Sequence, residues 1–351
     1  MNVIIVGCHK GLTRGVIKSL INSKIKFSFI GTKEIIKSVS LSKLCKSFYE
    51  INEKDLDIDS KNLNEIIMTL IKDHDDNYVI PTGIRSTLYI SKYAKVIAGK
   101  ENHYPLSDYQ TLAMLNNKWN FFSFLMKHNF PSPKTFLLDS IEMQHINDNL
   151  SFPVITKPLD SENSINVIRS DNLTELCKLT SSSPIPLLVQ EYIPGYDIDL
   201  SIFSIEGTIK AWTIFRRTEK GILFESNKEV LQIGEQIVNT LNFSGLINFD
   251  LRFNEQNGKF MVIECNPRVW GSMLHSTYVG VNYMDLAINN QNHELNFNAI
   301  KSGTISLNKS TLIKKLFKPS LTRQDFKSIF IQTKLFFHDP FYEISFFRNN
   351  K

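Results

Sequence analysis

Apolar positions along this chain change their spacing from segment to segment. Residues 3–6 are a short β-branched run, and 27–30 and 79–82 are further mostly apolar stretches; all three read as strands. After the first of them, Leu12, Val16, Ile17, Leu20 and Ile21 recur at helical spacing. Glycines at Gly7, Gly11 and Gly15 break up the junction, as at the start of a doubly wound sheet. Their spacing is neither G-x-G-x-x-G nor G-x-x-x-x-G-K-[ST], and no acidic residue closes the next strand, so a structural β-α-β lobe is expected in place of a dinucleotide site. The strand at 79–82 runs into a loop carrying Arg85, which could face a substrate or simply be solvated.

Around Ser107 the pattern turns helical. Ser107 with Gln110 has the form of a capping box, opening a helix to about Leu115. A second helix starts near Lys118 and carries Trp119, Phe121, Phe122, Leu125 and Met126 before Pro131 and Pro133 stop it. A cation at that helix start is disfavoured by the dipole unless it faces an anion. Residues 153–158 are a short strand with Lys157 directly before Pro158, the pattern of an edge strand or strand end; alone, such a lysine usually snorkels to water. Residues 187–190 are again apolar and run into Glu191-Tyr192-Ile193-Pro194-Gly195, where Pro-Gly stops the strand. The backbone of Glu191 and Ile193 is thereby left without ladder partners, free for a purine edge. Residues 197–204 alternate as an antiparallel strand, 209–215 form another that ends in Arg216-Arg217, and 227–241 read as a helix.

Residues 245–253 form a strand containing Asp250, and Asn257-Gly258 is a hairpin turn before the apolar run 261–263. That run ends in Glu264, Asn266 and Arg268, alternating positions that share one side of an extended chain. Two carboxylates on paired strands repel unless a cation lies between them, and the trio suits Mg²⁺ and the phosphate oxygens it bridges. A solvated strand end would show the same residues.

Composition narrows the class. At 351 residues, 42% hydrophobic and 21% charged, the chain is an ordinary multidomain globular protein with no apolar run of membrane-spanning length. Four scattered cysteines give neither a disulfide framework nor a zinc motif, and a cytoplasmic protein with reduced thiols is expected. The net charge of +5 is concentrated after Phe297, where ten Lys/Arg face three Asp/Glu. The body is near neutral, and no nucleic-acid partner is expected.

Gln190-Glu191-Tyr192-Ile193-Pro194-Gly195, Asn248-Phe249-Asp250 and Ile263-Glu264-Cys265-Asn266-Pro267-Arg268, in this order, with Gly271-Ser272 and Gly280-Val281-Asn282 behind them, resemble the ATP-grasp superfamily, in its carbamoyl-phosphate-synthase-like and carboxylate–amine ligase branches. The resemblance covers roughly residues 1–288. It implies an α/β and α+β multidomain fold: a Rossmann-like pre-ATP-grasp domain at 1–106, and ATP held between α+β subdomains at 107–189 and 190–296. Beyond these lies a basic extension, 297–351. It further implies that Lys118 and Lys157 bind ATP phosphates, the Glu191 carbonyl and Ile193 amide read adenine, and Asp197 holds the ribose. Asp250, Glu264 and Asn266 would coordinate Mg²⁺ (or Mn²⁺), and Arg268 and Lys157 would act on the transferred phosphoryl group. The implied chemistry is activation of a carboxylate as an acyl phosphate for attack by an amine, with small-molecule acid and amine as partners. Carboxyphosphate or carbamoyl-phosphate chemistry and non-catalytic ATP binding are the alternatives. The family's glycine-rich phosphate loop is replaced here by residues 159–164, which contain no glycine.

For the substrate, Arg85, Arg216 and Arg217 are candidates because guanidinium grips carboxylate in two places, and His275 and Tyr278 could line an amine site or merely pack. In the extension, Thr322 with Asp325 marks a helix start, with Phe326, Ile329, Phe330 and Leu335 or Phe336 as its apolar stripe. Packing on the chain's own core or in a homodimer is the preferred expectation, with docking on an anionic membrane surface or a polyanionic substrate as the alternative.

Overall fold

The computed structural model describes residues 1–57, 60–93, 102–139, 151–160, 166–180, 183–219, 221–289, 303–305, 329–330, 333 and 337–342. They form three sheets. The first is parallel and alternates with helices: β1 (Asn2–Val6), α1 (Lys10–Asn22), β2 (Phe27–Gly31), α2 (Lys33–Val39), β3 (Cys45–Glu50), α3 (Lys61–Ile71), β4 (Asn77–Pro81) and α4 (Ile84–Tyr93), with strand order β3-β2-β1-β4. Its strands are apolar throughout where helices cover both faces. The glycine turn after β1 is a packing device: a Cβ on Gly7 would lie 1.8 Å from Thr82 Oγ1.

Two helices follow, α5 (Tyr109–Asn116) and α6 (Lys118–Lys127). The cap of α5 differs from expectation. Asp108 accepts from the Thr111 amide at 3.0 Å and its hydroxyl at 2.7 Å, because the carboxylate outcompetes a neighbouring hydroxyl for the orphan donors. Ser107 is buried instead and exchanges two hydrogen bonds with the Ser244 backbone, 137 residues away.

The second sheet is small and antiparallel: β5 (Thr135–Leu138), β6 (Val154–Pro158), β7 (Ile168–Ser170) and β8 (Leu187–Glu191), in the order β5-β8-β6-β7, with α7 (Leu173–Thr180) between β7 and β8. Strand β6 lies inside this sheet, but β7 pairs only with its first three residues, so on that side Lys157 and Pro158 have no strand partner among the described residues. Strand β8 keeps Gln190 and Glu191, and the chain leaves the sheet at Tyr192.

The third sheet is the largest: β9 (Gly195–Ile205), β10 (Thr208–Thr218), β11 (Gly221–Glu225), then α8 (Lys228–Thr240), β12 (Gly245–Asn254) and β13 (Lys259–Asn266). After α9 (Met273–Ser276) and α10 (Tyr283–Asn289), β14 (Gly303–Ile305) adds to the edge, and the order is β13-β12-β9-β10-β11-β14. One face packs on α5, α6 and α8 through residues such as Phe121, Phe122, Ile233, Phe249 and Val262. The other shares a core with the first sheet's α1 side by way of Phe203, Phe215, Trp270 and Tyr283. Asn282 locks the two together by donating to Ser19 O and Ser23 Oγ, both at 3.0 Å.

Strand β13 contains a bulge. Asp250 pairs with Glu264 while Leu251 pairs with Val262, leaving Ile263 as the extra residue. Even-numbered Phe260 and Val262 face the helix side before it, and odd-numbered Cys265 faces that side after it.

Of the extension, Thr322, Asp325, Phe326, Leu335 and Phe336 lie outside the described residues. Asp339 accepts from Ser42 Oγ and, at 3.4 Å, from the Lys43 amide, and Tyr342 is buried in the core shared with α1. No helix among the described residues is long and apolar enough to cross a membrane.

Candidate active site

The register of the large sheet sets its polar side chains in rows on one face. Asp199, Asp250 and Glu264 stand directly opposite one another on β9, β12 and β13. One step toward the strand end lie Ser201, Asn248 and Asn266, and one step the other way Asp197 faces Arg252. Rows on one face repeat every two residues, about 7 Å. Hydrogen bonds run between the rows, from Ser201 Oγ to Asn248 Oδ1 at 2.7 Å and from Asn248 Nδ2 to Asp250 Oδ1 at 2.7 Å.

Three carboxylates in one row are costly. Burial, then the charges of Asp199 and Glu264, push the Asp250 carboxyl well above its usual range. Asp199 is raised as well, chiefly by burial, and the two share a hydrogen bond. Asp199 is a site residue the sequence reading missed; its alternation with Asp197 was visible, but not which of the two meets β12's carboxylate.

Both expected lysines reach this row, and both are buried. Lys118, at the first position of α6, sits 3.7 Å from Glu264 Oε1, the anion that the dipole argument demanded. Lys157 donates to the Ile263 carbonyl at 3.0 Å, at the bulge in β13. Burial lowers its pKa to about 8, against the opposing pull of Glu264. The start of the glycine-free loop is tied in, since the Lys118 amide donates to Leu159 O at 3.1 Å; residues 161–165 lie outside the described residues.

Two clefts meet over the carboxylate row. The first, about 530 Å³, runs from the hinge residues Glu191, Tyr192, Ile193 and Asp197 to Lys157, Asp250 and Glu264. At the hinge, the amides of Glu191 and Tyr192 are taken by the carbonyls of Lys134 and Pro153, whereas the Ile193 amide has no partner among the described residues. The second cleft, about 350 Å³, lies between the start of α1 (His9, Gly11, Leu12) and Asn266, Arg268, Trp270 and Ser272. Asp199, Asp250, Glu264 and Arg217 line both.

The other candidate arginines sit elsewhere. Arg85 is held by Asp57 at 2.6 Å and the Glu53 carbonyl at 2.7 Å, acids of a loop the sequence pattern gave no reason to bring near, and lines neither cleft. Arg216 pairs with Glu225 on the adjacent strand at 3.3 Å and covers the Tyr196 ring. His275 and Tyr278 pack edge-on behind the second cleft; burial holds the imidazole near pKa 4, and its Nδ1 lies 3.1 Å from Ser272 O. Cys265 is buried with its thiol pushed well up, and is no nucleophile.

The donor set at the row is all oxygen, which suits a hard cation. Among the described residues no three His, Cys, Asp or Glu side chains converge tightly enough to hold an ion by themselves. Magnesium does not require that: it keeps several waters and uses one or two carboxylates plus phosphate oxygens. The mutual repulsion of Asp199, Asp250 and Glu264 is the observation that a cation there would relieve.

Comparison with known proteins agrees with this geometry. The profile of a family described as "ATP-grasp in the biosynthetic pathway with Ter operon" matches residues 183–310, which carry the hinge and the carboxylate row. The chain is 20% identical to a D-aspartate ligase of Enterococcus faecium (strain Aus0004) over 51% of its own length, and spans about half of that relative, 50%. Among solved structures it is similar to an L-amino acid ligase from Bacillus licheniformis (TM-score 0.60, 16% identity, covering 86% of this chain and 75% of that one). It is also similar to the biotin carboxylase domain of a 2-oxoglutarate carboxylase from Hydrogenobacter thermophilus, solved with MgADP and bicarbonate (TM-score 0.62, 14% identity, covering 86% and 72%). The chain thus has the fold of these ATP-grasp-type enzymes, and the segment that carries its candidate site, within residues 183–310, matches an ATP-grasp family.

Proposed function

We propose that the chain is an ATP-dependent carboxylate–amine ligase of the cytoplasm, joining a small carboxylic acid to an amine with release of ADP and phosphate. The observation that carries this reading is the pair of clefts meeting over one row, Asp199, Asp250 and Glu264. A nucleotide in the first cleft points its phosphates at the row, and an acid in the second presents its carboxylate from the other side. The D-aspartate ligase and L-amino acid ligase among the similar proteins support an amino-acid-like acid or amine.

The residues then divide the work. The Glu191 carbonyl and Ile193 amide meet the adenine edge and Asp197 the ribose. Lys118 and Lys157 neutralise phosphate oxygens in a site drier than water, where each charge counts for more. Asp250, Glu264 and Asn266, with Asp199 beside them, would hold Mg²⁺ (Mn²⁺ is the other candidate), which would supply charge neutralisation for the phosphates. Arg268 steadies the phosphoryl group as it passes to the carboxylate oxygen, and Arg217, common to both clefts, grips the acid. The amine nitrogen then attacks the acyl carbon and phosphate departs. No side-chain nucleophile is needed. We place the nucleotide-binding lobes at 107–191 and 192–296, with 1–106 as the wall of the acid site.

The test is a phosphate-release screen crossing carboxylic acids with amines. ADP and phosphate should appear only when both are present, and bicarbonate-dependent release without an amine would overturn the ligase reading in favour of carboxyphosphate chemistry.

A further inference from the structure

One guanidinium organises the whole hinge segment. Arg252, on β12 directly opposite Asp197 of β9, donates from Nε to the Ile193 carbonyl, from Nη1 to Asp197 Oδ1 at 2.5 Å, and from Nη2 to the Gly195 carbonyl at 2.8 Å and, more distantly, the Tyr192 hydroxyl at 3.4 Å. All three nitrogens thus reach groups within six consecutive residues, 192–197. The same guanidinium lies 5.4 Å from the centre of the Tyr192 ring, and Arg169 of β7 lies 4.6 Å from it, so a cation from each of the two antiparallel sheets holds the residue that joins them. Tyr192, Ile193, Asp197 and Arg252 all line the first cleft.

We infer that Arg252 is the positioning residue for nucleotide recognition: it fixes the hinge and presents the Asp197 carboxylate for a sugar hydroxyl. This rests on the reading of the first cleft as a nucleotide site. Arg252 takes Oδ1 alone, and Asp197 Oδ2 has no partner among the described residues. A carboxylate held at one oxygen has its direction set and its second oxygen available, the form in which it discriminates a hydroxyl from its absence. Asp197 itself is mostly exposed and would otherwise sample several rotamers, with an entropy cost on each binding event. The Ile193 carbonyl, held by the same group, is withheld from the nucleotide, which leaves the Glu191 carbonyl as the hinge acceptor.

The experiment measures binding of ATP, 2′-deoxy-ATP and 3′-deoxy-ATP to the full chain with Mg²⁺ by calorimetry. Wild type should prefer ATP to at least one deoxy analogue by about tenfold, the scale of one charge-assisted hydrogen bond. Asp197→Ala should abolish that preference. Arg252→Ala should reduce it below about threefold, and the double variant should discriminate no worse than Asp197→Ala, since Arg252 acts through Asp197. Should Arg252→Ala fail to fold, Arg252→Lys, which keeps the charge on a single nitrogen, should retain ATP binding with partial discrimination. Undiminished discrimination in the folded Arg252 variant, or additive losses in the double variant, overturns the inference. A wild type that binds ATP without hydroxyl preference overturns it while sparing the proposed function, and one that binds no adenine nucleotide overturns both.

Discussion

Replacing Lys157 with methionine should stabilise the protein while removing its response to nucleotide. Lys157 is 5% exposed, and burial takes its pKa from 10.5 to about 8. At ~1.4 kcal/mol per tenfold change in proton affinity, holding this charge costs the fold about 3 kcal/mol. Methionine fills similar volume without charge, but loses the 3.0 Å bond to the Ile263 carbonyl, which costs back about 1 kcal/mol. The net expectation at pH 7 is a gain of about 2 kcal/mol, read as a higher midpoint in urea. The pH dependence follows from the direction of the shift. Below about pH 8 the lysine is charged both folded and unfolded, and the cost is complete. Between about 8 and 10.5 the folded form has released its proton while the unfolded form keeps it, so the cost fades as pH rises. The variant's advantage over wild type should therefore shrink between pH 7 and 9.5. Adding MgATP should raise the melting temperature of wild type and leave the variant unmoved. A variant less stable than wild type at pH 7, or an advantage independent of pH, would refute the view of Lys157 as a charge held in place against the fold's preference.

Glu264→Ala should leave a folded protein whose ADP release, assayed with both substrates, drops at least about 100-fold, because it removes the residue shared by Lys118, the carboxylate row and both clefts. Affinity for Mg²⁺-nucleotide, followed by calorimetry, should weaken as pH falls and begin to do so at higher pH than for ordinary carboxylates, since protons compete at the raised Asp199 and Asp250; a flat profile down to pH 5 would contradict this. Gly195→Ala should both destabilise the chain and weaken nucleotide binding: its φ is +140°, and a Cβ would stand 1.9 Å from the Phe253 carbonyl oxygen, which belongs to the ladder and cannot yield. Ser107→Ala should cost about 2 kcal/mol in chemical denaturation, for its two bonds to Ser244, with nucleotide affinity unchanged.

Which parts of this site could be read from the residues alone depended on how far apart their causes lie. Glu264, Asn266 and Arg268 were legible because strand parity and a turn are local properties, and Asp250 because a hairpin fixes its opposite number within a few residues. Lys118 was legible as an electrostatic anomaly at a helix start. Asp199 and Arg252 were not, since each looks like an ordinary polar residue on a half-buried strand until the register of β9 against β12 sets Asp199 beside Asp250 and Arg252 beside Asp197. Arg85 is the mirror case: its position after a strand left a substrate role and a solvated one equally open, and Asp57 and Glu53, brought near only by the fold, hold it away from both clefts. Ser107 shows the same limit in the helix cap, where its true partner lies in β12's approach, far along the chain.

The extra residue at Ile263 makes this site sensitive to counting as well as to chemistry. In an unbroken ladder continuing the pairing of Leu251 with Val262, Ile263 would face Asp250, and Glu264 and Asn266 would turn to the greasy side, against Phe121 and Phe249. A one-residue slip that smoothed this bulge would thus turn the candidate site residues away without substituting any of them, whereas deleting Ile263 itself would leave Glu264 opposite Asp250 in a regular ladder. The surplus residue is what lets one strand present Phe260 and Val262 to the helices and Glu264 and Asn266 to the clefts, a change of face that the even spacing of these four residues would forbid in an unbroken ladder.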